Sequence, residues 1–241
     1  MGSAVGAYNS ILVWNYNRIL EMLSISGPLE SCDTIDVTSH DSPDNYREFV
    51  AGPASGGEVS IEGNLIVGDE LGQMKFYTDL QAGAKKTAWI VMPMAVGASL
   101  LFDAIAKSFS PSTPYEDKIG VSATLQVTGK PALYVTQSAG MSALSGIEQT
   151  GPDSPLSITP AVAPGTYAYA CTVNTASTWV KLTVTAAGHI IKVQGVTQTS
   201  GVQGDGIALN PAGEDTEIFI MVYESPTVKS PRLYILTVTR P

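Results

Sequence analysis

The residue types that most often perform chemistry are scattered along this chain of 241 residues. The three types of a serine-hydrolase triad stand together at Ser39, His40 and Asp41. Because neighbouring side chains on an extended chain point to opposite sides, these three cannot form a hydrogen-bonded relay. The second histidine, His189, has no Cys or His partner at a metal-ligand spacing and is interpreted as a strand residue. These residues predict that the protein is not an enzyme.

Two segments of the second half resemble ligand sites without completing them. The glycine-rich run 201–206 lacks the lysine and the helix that follow a phosphate-binding loop, so we interpret it as a turn. Glu214, Asp215 and Glu217 carry carboxylates that could bind calcium weakly, but their spacing is not that of an EF-hand. A solvated hairpin is the simpler interpretation. We therefore expect no cofactor, no metal and no catalytic residue.

The charge balance excludes one class of binding. The chain has 13 basic and 22 acidic residues, a formal net charge of −9, whereas proteins that neutralise nucleic-acid phosphates need clustered Lys and Arg. Cys32 and Cys171 are predicted to be two free thiols, each buried or half-buried, with one long-range disulfide as the alternative. The first residues lack the features of a secretion signal.

One stretch, 87–106, imitates a membrane span because Asp103 is its only charge. About 20 apolar residues are needed to cross a bilayer, and Pro93 and Gly97 interrupt this run near its middle. We predict two buried strands joined by a turn rather than a membrane span, and therefore no membrane partner.

Polar and apolar residues alternate over 34–38, over 58–67 and over 118–128, which predicts strands with one wet face each. The polar face of the last strand carries no charge, as is typical of a sheet surface that contacts another molecule. The turn-rich segment 39–57 is predicted to be a long loop, and loops of that length are usually functional or disordered.

One helix is predicted in the first half, with Asp69 as its N-cap and Gly83 at its end. Its apolar stripe is predicted to be Leu71, Met74, Tyr77 and Leu80. Because so short a helix is marginal alone in water, this stripe must lie on a sheet.

The composition over 140–155 is that of a linker, which predicts a domain boundary there. Strand-like runs then follow at 166–174, 179–185, 189–193, 207–210, 217–224 and 232–239. Short strands separated by turn residues indicate a small β-sandwich of immunoglobulin-like architecture. We therefore divide the chain into domains at 1–140 and 147–241.

Three segments of the first half occur in a recognisable order: DTIDVTSHDSP over 33–43, YREF over 46–49 and GEVSIEGN over 57–64. Together they resemble the signature of the major tail tube proteins of long-tailed, siphovirus-like bacteriophages. The resemblance continues through the Asp69 helix and the stretch 121–131, and covers about residues 20–133. The chain departs from the family pattern at 92–99, where a polar hairpin turn is usual, so we expect this hairpin to be buried against a neighbour. The second half is similar to the cadherin-like or bacterial immunoglobulin-like modules of phage tail proteins.

The resemblance implies an all-β fold: a tail-tube β-sandwich or barrel flanked by one α-helix, followed by an immunoglobulin-like β-sandwich. It also implies a structural virion protein, made in the host cytoplasm, that forms stacked hexameric rings around a conduit for DNA ejection. The long loop would reach the adjacent ring, with contacts from His40, Asp41, Tyr46, Arg47 and Phe49. The residues expected to face the lumen are Thr34, Asp36, Glu58, Ser60, Glu62, Asn64, Ser122, Thr124 and Gln126.

The partners implied are other copies of the chain, the tape measure, the tail terminator, and baseplate or tail-tip proteins. DNA would pass through the lumen without specific binding, since 15 acidic and 8 basic residues through residue 140 give that part a charge of −7. We expect the second domain to be outer decoration, which could touch host-surface glycans, and truncation near Gly146 to leave assembly intact. The alternatives are an adhesin-like or carbohydrate-binding β-sandwich and a secreted tube of the type VI class.

Overall fold

A computed structural model describes residues 10–93, 95–115, 117–149, 154–225 and 227–241. The first domain contains β1 Ile11–Trp14, β2 Asn17–Arg18, β3 Met22–Ser26, β4 Ser31–Asp36, a 3₁₀ turn Pro43–Asn45, β5 Phe49–Ser55, β6 Glu58–Asn64, α1 Gln73–Ala82, β7 Lys85–Val91, β8 Ser99–Ser112 and β9 Gly120–Tyr134. The second domain contains β10 Ala143–Glu148, β11 Ser154–Pro155, β12 Ala168–Thr172, β13 Trp179–Thr185, β14 His189–Val193, β15 Val196–Gln198, β16 Ile207–Ala208, β17 Asp215–Glu224 and β18 Arg232–Thr239. The predicted all-β class with one α-helix is confirmed for the described residues.

The first domain is built on one curled sheet, a half-barrel with the strand order β2-β1-β7-β8-β9-β6-β3 among the described residues. The apolar side chains on one face of this sheet pack against helix α1. Trp14 of β1 meets Phe76 of α1 with ring centroids 5.1 Å apart. Val59, Phe102 and Leu125 from three further strands are buried in the same core. The helix therefore lies on the sheet, as its short length requires.

Helix α1 begins later than predicted and buries a different face. Its N-cap is Gly72, while the Asp69 carboxylate accepts hydrogen bonds from the backbone N–H groups of Gly72 and Gln73 at 3.1 and 2.9 Å. Leu71 and Tyr77 of the predicted stripe are exposed, and Gln73, Phe76 and Asp79 are buried instead. The predicted stripe is therefore only partly right: Leu80 packs against the core, but the stripe left out the buried Gln73 and Asp79 because they are polar.

These buried polar side chains all have partners. The Gln73 amide donates to the carbonyl groups of Leu20 and Asn64 and accepts from the N–H of Ile66. Asp79 accepts the indole N–H of Trp14 at 2.9 Å. Buried polar groups are tolerated when they are hydrogen-bonded, so these two side chains connect helix, sheet and loop inside the domain.

Several predicted strands need correction. The segment 34–38 was expected to be half-buried, but β4 is exposed along its whole length. The segment 39–57 was expected to be a loop, but its second part forms β5, which pairs with β4 in a separate hairpin. The predicted strand 118–128 extends to Tyr134. Alternation identifies a strand but not what covers it.

The apolar stretch 87–106 forms two paired strands, β7 and β8, as predicted. The turn that joins them was expected to be buried against a neighbour, and this expectation stays a prediction. Val96 in this turn is 42% exposed, whereas Ala98 is buried, so the described turn residues are only partly covered. No helix among the described residues is long and apolar enough to span a membrane.

The second domain, hereafter the sandwich, has two sheets among the described residues: β11-β10-β13-β16 and β12-β18-β17-β14-β15. They enclose a core that includes Val180, Leu182, Ile191, Ile220 and Leu236. The predicted strands at 179–185, 189–193 and 232–239 have the expected bounds. Pairing of β10 with β13 begins at Ala143, so the sandwich starts before residue 147.

Candidate functional site

One end of the first-domain sheet presents a continuous polar surface. β6 pairs with β9 so that Glu62 lies opposite Ser122 and Ser60 opposite Thr124. β3 extends the same rows on one side and β8 on the other. We call this surface the polar face and define it as Ser24, Ser26, Glu58, Ser60, Glu62, Ser108, Ser110, Ser122, Thr124 and Gln126. The opposite face of the same strands is the buried core.

The polar face is mostly hydroxyl and carboxylate. The hydroxyls of Ser108 and Thr124 are 2.6 Å apart, and the Ser24 hydroxyl donates to Glu62 at 3.4 Å. Lys107 forms an ion pair with Glu58, which neutralises one carboxylate at the margin. Hydroxyl groups offer hydrogen bonds without net positive charge, so this surface has little attraction for phosphate.

Both lateral edges of the polar face lack a partner strand among the described residues. β3 pairs only with β6. β7 covers β8 only from Ser99 to Ile105, so β8 is unpaired on that side from Lys107 to Ser112. An open strand edge presents unpaired N–H and C=O groups and is a template for pairing with another chain.

The structure groups most of the predicted lumen residues on this surface. Glu58, Ser60 and Glu62 on β6 and Ser122, Thr124 and Gln126 on β9 lie on paired strands and belong to the polar face. Asn64 follows on the same side at the end of β6, next to the polar face. Thr34 and Asp36 do not join them, since they lie on β4 in the separate hairpin. Whether these two side chains face the lumen of a tube stays a prediction, because alternation cannot tell which sheet a strand joins.

Sequence reasoning missed four residues of this surface: Ser24, Ser26, Ser108 and Ser110. The signal was present, because these serines recur at two-residue steps on two strands, as residues on one side of a strand must.

The hairpin of β4 and β5, residues 31–55, projects from the first domain, and we call it the arm. Ile35 pairs with Val50, and Val37 follows on the same side. All three side chains are about half exposed, at 51, 49 and 46%. An isolated two-stranded hairpin is at best marginally stable in water, so an exposed apolar strip on one predicts that something else covers it.

The predicted inter-ring residues lie at the distal end of the arm. His40 and Asp41 are in its exposed tip, and Tyr46 and Phe49 are 76 and 54% exposed. Arg47 lies 3.8 Å from Asp36 on the other strand. The side-chain and backbone hydrogen bonds from Thr38 hold the pKa of Asp36 below its ordinary value.

The tip of the arm has its own hydrogen bonds. The Glu48 backbone N–H donates to the Thr38 hydroxyl at 3.0 Å, and the Ser42 hydroxyl donates to the Glu48 carboxylate at 2.8 Å. These bonds order a loop that no other part of the described chain covers. The geometry presents an ordered but uncovered tip.

The arm leaves the domain at a point that only glycine fits. Gly57 has a φ of +65°, and a Cβ added to it would lie 2.1 Å from the Leu29 carbonyl oxygen. Glycine alone tolerates both the left-handed backbone and this approach. The root of the arm is therefore fixed by sterics.

The other candidate residues form no chemical centre. Ser39 and Asp41 are linked by a hydrogen bond from the Asp41 backbone N–H to the Ser39 hydroxyl, not by a relay through His40. His189 begins β14, with Nδ1 2.8 Å from the Ala187 carbonyl oxygen. Among the described residues there is no group of His, Cys, Asp and Glu that could hold a metal ion.

The sandwich offers no exposed tryptophan platform for a sugar. Lys181 lies over the ring of Trp179, with Nζ 5.2 Å from its centroid. The backbone at Gly206 also lies beside this indole, since a Cβ added to Gly206 would be 3.9 Å from it. The two cysteines are free, as predicted, and Cys171 is buried in the sandwich core. Cys32 was expected to be at least half-buried, but it is exposed on the arm.

Solved structures contain chains similar to about half of this chain. One is in "Virion of native gene transfer agent (GTA) particle", with 17% identity, a TM-score of 0.44 and coverage of 54% of this chain and 98% of that one. A second is in "Tail of empty GTA particle computed with helical refinement, C6 symmetry", with 16% identity, a TM-score of 0.45 and coverage of 54 and 98%. A third, from an extracellular contractile injection system (PVC sheath/tube terminator in extended state), has 17% identity, a TM-score of 0.45 and coverage of 55 and 98%.

No curated protein matches the chain. Two family models do. The model for the cadherin-like beta sandwich domain matches residues 153–241. The model for the lambda phage tail tube protein matches residues 2–134, more than half of the chain. The chain therefore belongs to the family of lambda phage tail tube proteins, which are structural components of the virion tail and not enzymes, and it carries a cadherin-like domain after the tail tube domain.

Proposed function

We propose that this tail tube protein assembles as hexameric rings that stack into a tube, and that the tube is the conduit for DNA ejection. The observation that carries the proposal is the polar face, an exposed and continuous sheet surface with an open strand edge on each side. Such a unit closes into a barrel when each copy pairs its two edges with its neighbours, and closure removes the exposed edges.

The edges that pair are β3 of one copy and the Lys107–Ser112 part of β8 of the next. Strands β8, β9, β6 and β3 alternate in direction because each neighbouring pair is antiparallel. β3 and β8 therefore run in opposite directions, and joining them continues the alternation from one copy to the next. The joint is heterologous, and a heterologous joint generates a ring when the rotation between copies closes, here after six copies.

In this arrangement the polar face lines the lumen. Its serine and threonine hydroxyls and its glutamates give DNA no cluster of positive charge to bind, in keeping with the net charge of −7 through residue 140. DNA then passes without phosphate contacts that would have to be broken.

The arm connects successive rings. Its apolar strip of Ile35, Val37 and Val50 becomes covered when it lies on the next ring, and His40, Asp41, Tyr46, Arg47 and Phe49 contact that ring through the tip. The hydrophobic effect then supplies the attraction between rings, at about 25 cal/mol per Å² of apolar surface removed from water. At its two ends the tube meets a tail terminator and baseplate or tail-tip proteins, and it surrounds a tape measure.

The proposal is tested by cross-linking the two edges. In a Cys32→Ser background, Ser24→Cys on β3 and Ser110→Cys on β8 place thiols on opposite edges of the polar face. Within one chain these thiols are three strand spacings apart, about 14 Å, which a bismaleimide shorter than about 10 Å does not bridge. Between neighbouring copies they lie close together.

We expect a ladder of covalent oligomers that ends at the hexamer, while either single variant gives at most dimers. A cryo-EM reconstruction of the same tubes should show the side chains of Ser60 and Thr124 on the lumen wall. Monomers that never cross-link, or a reconstruction with these side chains on the outer wall, would falsify the proposal.

A further inference from the structure

The two domains share a hydrophobic core. The outer face of β1 and β7 contributes Val13, Trp89 and Val91, and the facing sheet of the sandwich contributes Phe219, Met221, Tyr223 and Leu233. Every one of these side chains is at most 7% exposed. Such burial is typical of the inside of a domain, whereas mobile modules usually meet through polar surfaces.

Strand β17 shows the extent of this burial, because it is covered on both faces. Ile218, Ile220 and Val222 point into the core of the sandwich. Phe219 and Met221, which alternate with them, point toward the first domain. β17 is thus the middle layer between the other sheet of the sandwich and the sheet of the first domain.

Two tight turns, one from each domain, are in close contact at the margin of this core. The β1–β2 turn has Asn15 and Tyr16 at φ of 49 and 66°, and the β14–β15 turn has Gln194 and Gly195 at 48 and 79°. The turns touch closely enough that a Cβ on Gly195 would lie 2.5 Å from the Asn17 amide nitrogen. A left-handed backbone is unusual for a residue as bulky as tyrosine and persists only where the surroundings enforce it.

The surroundings of Tyr16 come from the sandwich. Its ring stacks on Tyr223, with centroids 6.1 Å apart and an interplanar angle of 9°. The Lys192 ammonium lies 4.4 Å from the centroid of the Tyr16 ring. Burial lowers the pKa of Lys192, and burial and then the nearby Tyr16 raise the pKa of Tyr223. Both directions are those expected of groups that are partly withdrawn from water.

The linker between the domains is also held. Ser138 donates its backbone N–H to the Ser230 carbonyl at 2.8 Å, and Ser230 donates to the Thr136 carbonyl at 2.7 Å. Arg232 donates from Nε to the Ser138 carbonyl at 2.7 Å. The connection therefore runs along the sandwich as part of its structure.

We infer that the sandwich is a fixed and necessary layer of the subunit: the outer face of β1 and β7 is a docking surface whose partner is the chain's own sandwich, and the first domain depends on that partner for stability. Truncation near Gly146 would uncover Val13, Trp89 and Val91 and would cut within β10. We therefore no longer expect such a truncation to leave assembly intact; we expect it to destabilise the first domain.

The test uses the full, unassembled chain, so its outcome does not depend on ring formation. Met221→Ala opens a cavity in the shared core, and Tyr16→Asn removes the stacked ring while it installs a residue that tolerates the left-handed backbone. Tyr16→Phe keeps the ring and is the matched control. Hydrogen exchange by mass spectrometry reads the amide protection of each domain separately.

We expect both Met221→Ala and Tyr16→Asn to lower protection at least tenfold in β1 and β7 as well as in β17, and Tyr16→Phe to change it less than threefold. A purely local effect of Tyr16→Asn would have the opposite sign, because backbone strain is relieved. Protection of β1 and β7 that stays at the wild-type level in both variants, while the sandwich alone exchanges faster, would overturn the inference. If Met221→Ala does not fold, the Tyr16 pair still decides the question.

Discussion

The arm and the face between the two domains carry similar apolar residues, but the two surfaces differ in whether these residues are buried within the chain. At the domain face, Val13 and Trp89 of the first domain and Met221 of the sandwich are at most 1% exposed because the two domains cover each other. On the arm, Ile35, Val37 and Val50 remain about half exposed. The domain face is covered by another part of the same chain, whereas the apolar strip of the arm stays exposed.

The difference separates folding from assembly. Apolar surface that is covered within the chain contributes to the stability of each subunit. Apolar surface that stays exposed lowers solubility and has no effect on folding until another copy covers it. Substitutions on the two surfaces should therefore fail in different measurements.

The largest effect is expected from charges on the arm. Ile35→Asp with Val50→Asp places two carboxylates on the strip that we propose is covered by the next ring. At about 1.4 kcal/mol or more for each unpaired carboxylate, the protein concentration needed for tube assembly should rise about 100-fold or more. Sedimentation of tubes over a series of protein concentrations measures the concentration at which assembly begins.

The matched control is Thr34→Asp with Ala51→Asp, a directly opposed pair on the other side of the same hairpin. It adds the same charge to the same strands, so it should shift assembly much less. Both double variants should unfold at the wild-type denaturant concentration. A fall in stability for the Ile35 and Val50 pair alone would mean that the strip is covered within the chain after all.

A smaller effect is expected at the root of the arm. Gly57→Ala forces a Cβ toward the Leu29 carbonyl, so the arm must change direction. Gly83→Ala is the control, since Gly83 has a similar φ of +60° but nothing within 4 Å of its added Cβ. We expect Gly83→Ala to cost about 1 kcal/mol of unfolding free energy and Gly57→Ala about 2 to 3 kcal/mol, with assembly impaired only by the latter.

Denaturant unfolding and electron microscopy of the two alanine variants supply the measurements. Tubes formed equally well by both would show that the direction of the arm is not set at Gly57. The pair thus separates the strain of a left-handed backbone, which both variants share, from the close contact that only one has.

The strand positions of the polar face could be predicted because local alternation determines them. Ser60, Glu62, Ser122 and Thr124 alternate with buried residues, and a strand shows its two faces in its own sequence. The alternation around Thr34 and Asp36 is equally clear, but these residues lie in a separate hairpin and not on the polar face. Pairing partners lie far apart in the sequence, and periodicity contains no information about them.

The domain face was missed for a related reason. Phe219, Met221 and Tyr223 stand within an apolar run that includes Ile218, Ile220 and Val222, and such a run indicates a strand buried on both faces. The run was assigned to an ordinary sandwich strand, which needs only one buried face. The buried Gln73 and Asp79 were missed because only their hydrogen-bond partners show why a polar side chain lies inside.

The smallest effect is expected in the alkylation rates of the two thiols, which report on the exposed arm and on the buried core of the sandwich. Cys32 is exposed on the arm, and Cys171 is in the core of the sandwich. Burial, and then the charge of Glu148, raise the pKa of the Cys171 thiol to about 11. Because the thiolate is the reactive form, this shift alone should slow its alkylation about 100-fold at pH 8, and burial slows it further.

We therefore expect one thiol per native, unassembled chain to react with a maleimide, and two in urea. In assembled tubes the Cys32 reaction should slow by about tenfold, since the arm that carries it then lies against the next ring, while Cys171 is unaffected. Cys32 in tubes that reacts as fast as in the free chain would place its part of the arm away from the ring interface. The stacking contact would then be restricted to the tip, beyond Asp36 and before Phe49.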